Sequence, residues 1–116
     1  MWTIEPTEQW EKDQRWYTKK HPNELAAVLV NLERYVRHLN SSKNSKVVMA
    51  GYLHHEPLGV VAVDQKGGGG NLQETRLYTF ADDTKNILYL ITIGNKSDQP
   101  RDIEIAKEFV QHVQKT

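Results

Sequence analysis

The run Ile87-Leu88-Tyr89-Leu90-Ile91-Thr92-Ile93 is apolar at both even and odd positions. A strand with one wet face alternates apolar and polar residues, so this run predicts a central strand covered on both sides. Covering material must therefore exist for two faces of a sheet. The chain has 116 residues, 38% of them hydrophobic and 26% charged. That suits one domain with one sheet and helices laid on it.

The helices can be placed by period and by their ends. Thr7 precedes Glu8 and Glu11, which puts a capping hydroxyl and negative charge at a helix start. The segment from Glu8 to Lys20 carries Trp10, Trp16 and Tyr17 near helical spacing and ends on Lys19 and Lys20. His21-Pro22-Asn23 breaks it, with Asn23 as the expected cap of a second helix. Residues 24–39 hold Leu25, Val28, Leu29, Leu32, Tyr35, Val36 and Leu39, an apolar stripe over four turns. Two helices joined by so short a break form an antiparallel hairpin. A third helix is expected from near Pro100 to about Gln114, with Ile103, Ala106, Phe109, Val110 and Val113 on one side.

The remaining segments read as strands. Residues 2–5 make a short edge strand stopped by Pro6. Residues 46–53 are weakly strand-like; residues 58–63, 72–80 and 87–93 are better. Lys66-Gly67-Gly68-Gly69-Gly70 separates the second from the third. Asp82-Asp83-Thr84-Lys85 forms a four-residue hairpin loop before the last. The fold class is thus α+β. An N-terminal strand and a helical hairpin pack on a mainly antiparallel sheet of three to four strands, followed by a C-terminal helix.

Composition narrows the function classes. The chain has no cysteine, which excludes zinc-thiolate sites and favours an intracellular, cytoplasmic home. No signal peptide is expected at the N-terminus, and no apolar stretch reaches the length of a membrane span. The net charge is zero, and residues 1–46 carry eight Lys/Arg against six Asp/Glu. A protein that grips nucleic acid along its whole surface is more basic than this.

The element order resembles the RelE/ParE toxin superfamily. The resemblance is carried by Glu74-Thr-Arg-Leu-Tyr-Thr-Phe and by Ile87 to Gly94, then Asn-Lys96-Ser-Asp-Gln-Pro-Arg-Asp102. In that family an Arg leads the penultimate strand, and the last strand ends in a small residue and a cation. Arg76, Gly94 and Lys96 fall on those places. Lys66 and the glycines after it look like the Gly/Lys-rich loop of the HigB-like branch. The match covers roughly residues 58–110.

The resemblance implies the toxin of a type II toxin–antitoxin pair, neutralised by a cognate antitoxin protein. RelE-like and HigB-like members cut mRNA on the ribosome without a metal or cofactor; ParE-like members inhibit DNA gyrase. On the first alternative Arg76 and Lys96 steady the phosphate, Lys66 joins them in binding RNA, and His54 or His55 moves protons. On the second the chain binds a protein target and cuts nothing. The neutral net charge and the first of two departures from the family pattern favour the second. The strand at residues 58–63 has no charge where RelE carries cations, and Asp102 stands on or near RelE's late tyrosine. The bland expectation for Arg76 is a structural ion pair with Glu74, two residues away on the same strand face. Packing is the bland expectation for Trp10, Trp16 and Tyr17, and exposure for His112.

Overall fold

The computed structural model describes residues 1–115. Strand β1 (Thr3–Pro6) is followed by helices α1 (Glu8–Lys20) and α2 (Pro22–Ser41). Strands β2 (Leu53–His55), β3 (Val60–Asp64), β4 (Thr75–Asp82) and β5 (Ile87–Asn95) come next, then helix α3 (Gln99–Gln114). The five strands form one sheet in the order β1-β5-β4-β3-β2. All neighbours are antiparallel except β1, which runs parallel to β5 with Thr3 opposite Ile87. The sheet is therefore wider than the three to four strands expected, because β1 joins at one edge and β2 at the other.

Local chemistry sets most boundaries. The Thr7 hydroxyl accepts the Trp10 N–H at 3.2 Å and donates to the Ile91 carbonyl at 2.9 Å. One side chain thus caps α1 and ties it to β5. Helix α2 begins at Pro22 rather than after an Asn23 cap, because proline tolerates the first turn, where its missing N–H costs nothing. Strand β3 starts at Val60 rather than Leu58. Leu58 and Gly59 adopt left-handed backbone (φ 62° and 80°) in a short turn after Pro57. Of the weak strand expected over residues 46–53, only the end survives, in β2; a single 3-10 turn occupies Ser45–Val47. The β4–β5 turn holds Asn86 at φ 56°, and the Asp82 carboxylate accepts the Thr84 and Lys85 N–H groups.

The two-sided strand is real. Leu88, Leu90 and Ile93 of β5 pack with Trp10, Tyr17, Val28, Leu32 and Tyr35 of the helical hairpin. Tyr89 and Ile91 pack with Ala106, Phe109 and Val110 of α3 on the other face. A bulge makes this possible. Tyr78 faces Thr92 while Thr79 faces Leu90, so β5 carries one extra residue. The extra residue changes which side chains face which helix halfway along the strand. It also shifts the pairing beyond it by one residue, so that Arg76 lies opposite Gly94 rather than Ile93.

Candidate functional site

Strand alternation gathers chemistry on the α3 face of the sheet, at one end. His54 on β2 stands opposite Ala62; Asp64 at the end of β3 stands opposite Arg76 on β4. Ala62 and Tyr78 belong to the core under α3. His54, Asp64 and Arg76 share that face because strand side chains repeat every second residue.

His54 is on strand β2, although it lies outside the strands expected over residues 46–53 and 58–63. Its Nε2 lies 2.7 Å from Asp64 Oδ2. The Asp64 side chain is only 3% exposed and also accepts the Lys66 backbone N–H at 2.7 Å. A carboxylate that only accepts fixes the proton on Nε2 and leaves Nδ1 as the basic nitrogen. The ring is 25% exposed, so solute can reach it. Lys66 Nζ lies 3.8 Å from the same carboxylate and donates to the Gly51 carbonyl at 3.1 Å. His55 points the opposite way, opposite Val61, with Nε2 at 3.1 Å from the Val48 carbonyl. Consecutive strand residues cannot share a face, so His54 and His55 are not a pair.

Arg76 is held by two carboxylates. Its Nη2 reaches Glu74 Oε1 at 3.1 Å and its Nη1 lies 3.7 Å from Glu56 Oε2. The side chain is 16% exposed, and its Nε has no partner among the described residues. The ion pair with Glu74 that strand spacing suggested is present; Glu56, from the turn before β3, was not foreseen. Lys96 stands in the 3-10 turn Lys96–Asp98 just beyond β5, exposed and with no ion pair among the described residues. It is near the end of the row but touches none of its members.

Behind Arg76 lies an unusual buried acid. Asp102, on the first turn of α3, is fully buried, and neither carboxylate oxygen has a hydrogen bond. It fits only because residue 94 is glycine: a Cβ there would clash with Asp102 Oδ2. Burial pushes the Asp102 carboxyl up to about 6; Arg101, 3.6 Å away, opposes the shift, and Asp98 and Asp13 add to it. The Tyr78 hydroxyl and Gln99 Nε2 are also buried without partners. Tyr78 is raised, by burial first and by Asp102 second.

Some sequence expectations dissolve on this surface. Trp10 and Tyr17 pack in the core, whereas Trp16 is 50% exposed and leans on Tyr17 and His21. His112 is exposed on α3. Asp64 and Glu56 were missed as partners, although Asp64 is the one acid closing the apolar run Val60–Val63. Asn31 was missed too. It interrupts the apolar stripe of α2, is 2% exposed, and donates to the Asp64 and Lys66 carbonyls at 2.9 and 2.8 Å. No group of His, Cys, Asp or Glu among the described residues is arranged to hold a metal ion. No described helix is long and apolar enough to cross a membrane. No protein-family model, no curated protein and no solved structure matches the chain.

Proposed function

We propose that this chain is a RelE/ParE-type toxin that cuts mRNA on the ribosome, acts in the cytoplasm and is held in check by a cognate antitoxin. The observation that carries the cleavage reading is the His54–Asp64 pair at 2.7 Å, with Lys66 and Arg76 beside it. The element order, with β1 leading a helical hairpin into an antiparallel sheet, supports the family reading.

The chemistry needs no metal. His54 Nδ1 takes the proton of a ribose 2′-hydroxyl while Asp64 steadies the imidazolium that forms. The 2′-oxygen bonds to phosphorus and the bond to the 5′-oxygen breaks. The imidazolium returns the proton to that oxygen, leaving a cyclic phosphate and a free 5′-hydroxyl. Lys66 is the cation best placed to meet the charge that builds on the phosphate. Lys96 approaches from the end of β5, and Arg76 contributes once a phosphate competes with Glu56 and Glu74.

Primer extension on RNA from expressing cells tests this. The parent should give discrete new ends, and His54→Ala should reduce them about 10²- to 10⁴-fold. Equal cleavage by parent and His54→Ala rejects the assignment of the base.

One observation favours a second reading, in which the domain binds a protein target such as DNA gyrase without cutting RNA. Arg76 is already neutralised by two carboxylates, and β3 is buried and apolar from Val60 to Val63. Growth arrest without new RNA ends, unchanged in His54→Ala, is the outcome that selects it.

A further inference from the structure

A second arginine is held in the opposite way from Arg76. Arg34, on the outer side of α2, donates from Nη1 to Asn31 Oδ1 at 3.1 Å. Its guanidinium carbon sits 4.5 Å from the centre of the Tyr52 ring. Both partners are neutral, and no carboxylate pairs with Arg34 among the described residues. Asn31 is itself pinned by its two bonds to the Asp64 and Lys66 carbonyls. The guanidinium is therefore positioned but its charge is not satisfied.

Arg34 lines a cavity of about 630 Å³ between α2 and the loop at residues 66–72. That volume is within the range of small-ligand pockets. The opposite wall is almost bare backbone: Lys66, then four glycines. Gly67, Gly69 and Gly70 all have positive φ, and the N–H groups of Gly67, Gly69, Gly70 and Asn71 donate to nothing among the described residues. Gly68 seats this wall on α2, since a Cβ there would lie 2.5 Å from Ala27 Cβ. Free backbone donors of this kind face anions well. Lys66, exposed and only loosely paired with Asp64 at 3.8 Å, adds a second cation at the rim. Glu24, the acid in the lining, already accepts the Gln73 N–H at 3.1 Å. Ala26, Ala27, Val30 and Leu72 supply an apolar side.

We propose that this groove binds the phosphate of a nucleotide, with Arg34, Lys66 and the glycine-loop amides as donors and Val30 and Leu72 against the base. A phosphate matches two cations and several unpartnered N–H groups, and the apolar wall accounts for a flat, partly apolar body attached to it. The inference goes beyond the cleavage reading and does not depend on His54. The phosphate can belong to a free nucleotide or to one residue of an RNA strand.

Amide NMR titration of the whole chain separates these. The probes are adenosine monophosphate, inorganic phosphate, adenosine, and a short single-stranded RNA. Adenosine monophosphate should shift the amides of Gly67 to Asn71 saturably, and adenosine should not. Arg34→Gln should weaken the binding about tenfold with the thermal midpoint kept. Arg37→Gln, one turn along and paired with Glu33, should leave it unchanged. RNA that binds at least tenfold more tightly than the mononucleotide identifies the strand as the source; equal affinity identifies the free nucleotide. The proposal is overturned if the loop amides do not move at about 10 mM phosphate-bearing probe. It is equally overturned if folded Arg34→Gln binds as the parent does.

Discussion

Arg76, largely covered, and Arg34, exposed, are both held in place by neighbours, yet they have been given opposite companions. Arg76 lies between Glu56 and Glu74 on the α3 face of the sheet. Arg34 rests on an asparagine and a tyrosine ring at the edge of a groove. A charge matched by carboxylates has its field largely cancelled locally and meets a ligand only in competition with them. One held by neutral groups keeps its field for a ligand. The difference teaches that a place on a strand does not make an arginine available; its neighbours do.

The surroundings differ in the same sense. Near Arg76 the structure is dense, with Gly94 opposite it and Asp102 filling the space a side chain would need. Near Arg34 the wall is a run of glycines with open space around most of them. The first corner should be sensitive to a change of charge and the second should tolerate one, although Gly68 is seated on Ala27 and the left-handed Gly67, Gly69 and Gly70 resist any side chain.

The largest effect should come from Gly94→Ala. The new methyl group must displace Asp102 from a packed helix start, at a cost of about 3 kcal/mol, read as a lower urea midpoint. A loss below about 1 kcal/mol would mean that the dense corner is softer than its geometry implies.

Next comes the pH dependence of Asp102. Its folded value of about 6 is above the ordinary carboxyl value, so the folded state holds the proton more tightly. The stabilisation is complete below the unfolded value near 4 and is lost as pH rises through about 6. Asp102→Asn should remove this loss. Relative to the variant, the parent should be less stable by roughly 2–3 kcal/mol at pH 7 and equal to it near pH 4. Parallel stability curves for the two proteins would sink the claim.

Replacing the two arginines tests the contrast directly. Arg76→Met strands Glu56 and Glu74 in partly covered sites and should cost about 2 kcal/mol. Arg34→Met loses a ring contact and one hydrogen bond, and should cost under about 1 kcal/mol. Equal losses in chemical denaturation would erase the distinction. The same contrast should show in a ligand effect. Adenosine monophosphate at about ten times its Kd should raise the parent's stability by about 1.4 kcal/mol, and the same concentration should raise that of Arg34→Met by only about 0.4 kcal/mol.

Much of the architecture could be read in advance because it depends on local period. The apolar stripe of α2, the Thr7 cap, the start of α3 beside Pro100 and the doubly covered β5 are all statements about neighbours within a few residues. The Arg76–Glu74 pair belongs with them, since strand alternation alone puts those two side chains on one face. His54 was picked out by residue type but left outside the expected strands, because a three-residue strand is too short to show a period.

The amino-acid sequence by itself determined the two helical faces, the two-sided strand and the acid that would sit beside Arg76 along its own strand. Only the tertiary structure decided which cations remain uncompensated. Glu56 reaches Arg76 from 20 positions away, Asp64 finds His54 across a strand pair, and Asn31 joins α2 to the loop after β3. The extra residue in β5 moves Arg76 to a partner that simple hairpin counting does not give. Electrostatic satisfaction depends on distance in space, and periodicity carries information only along the chain.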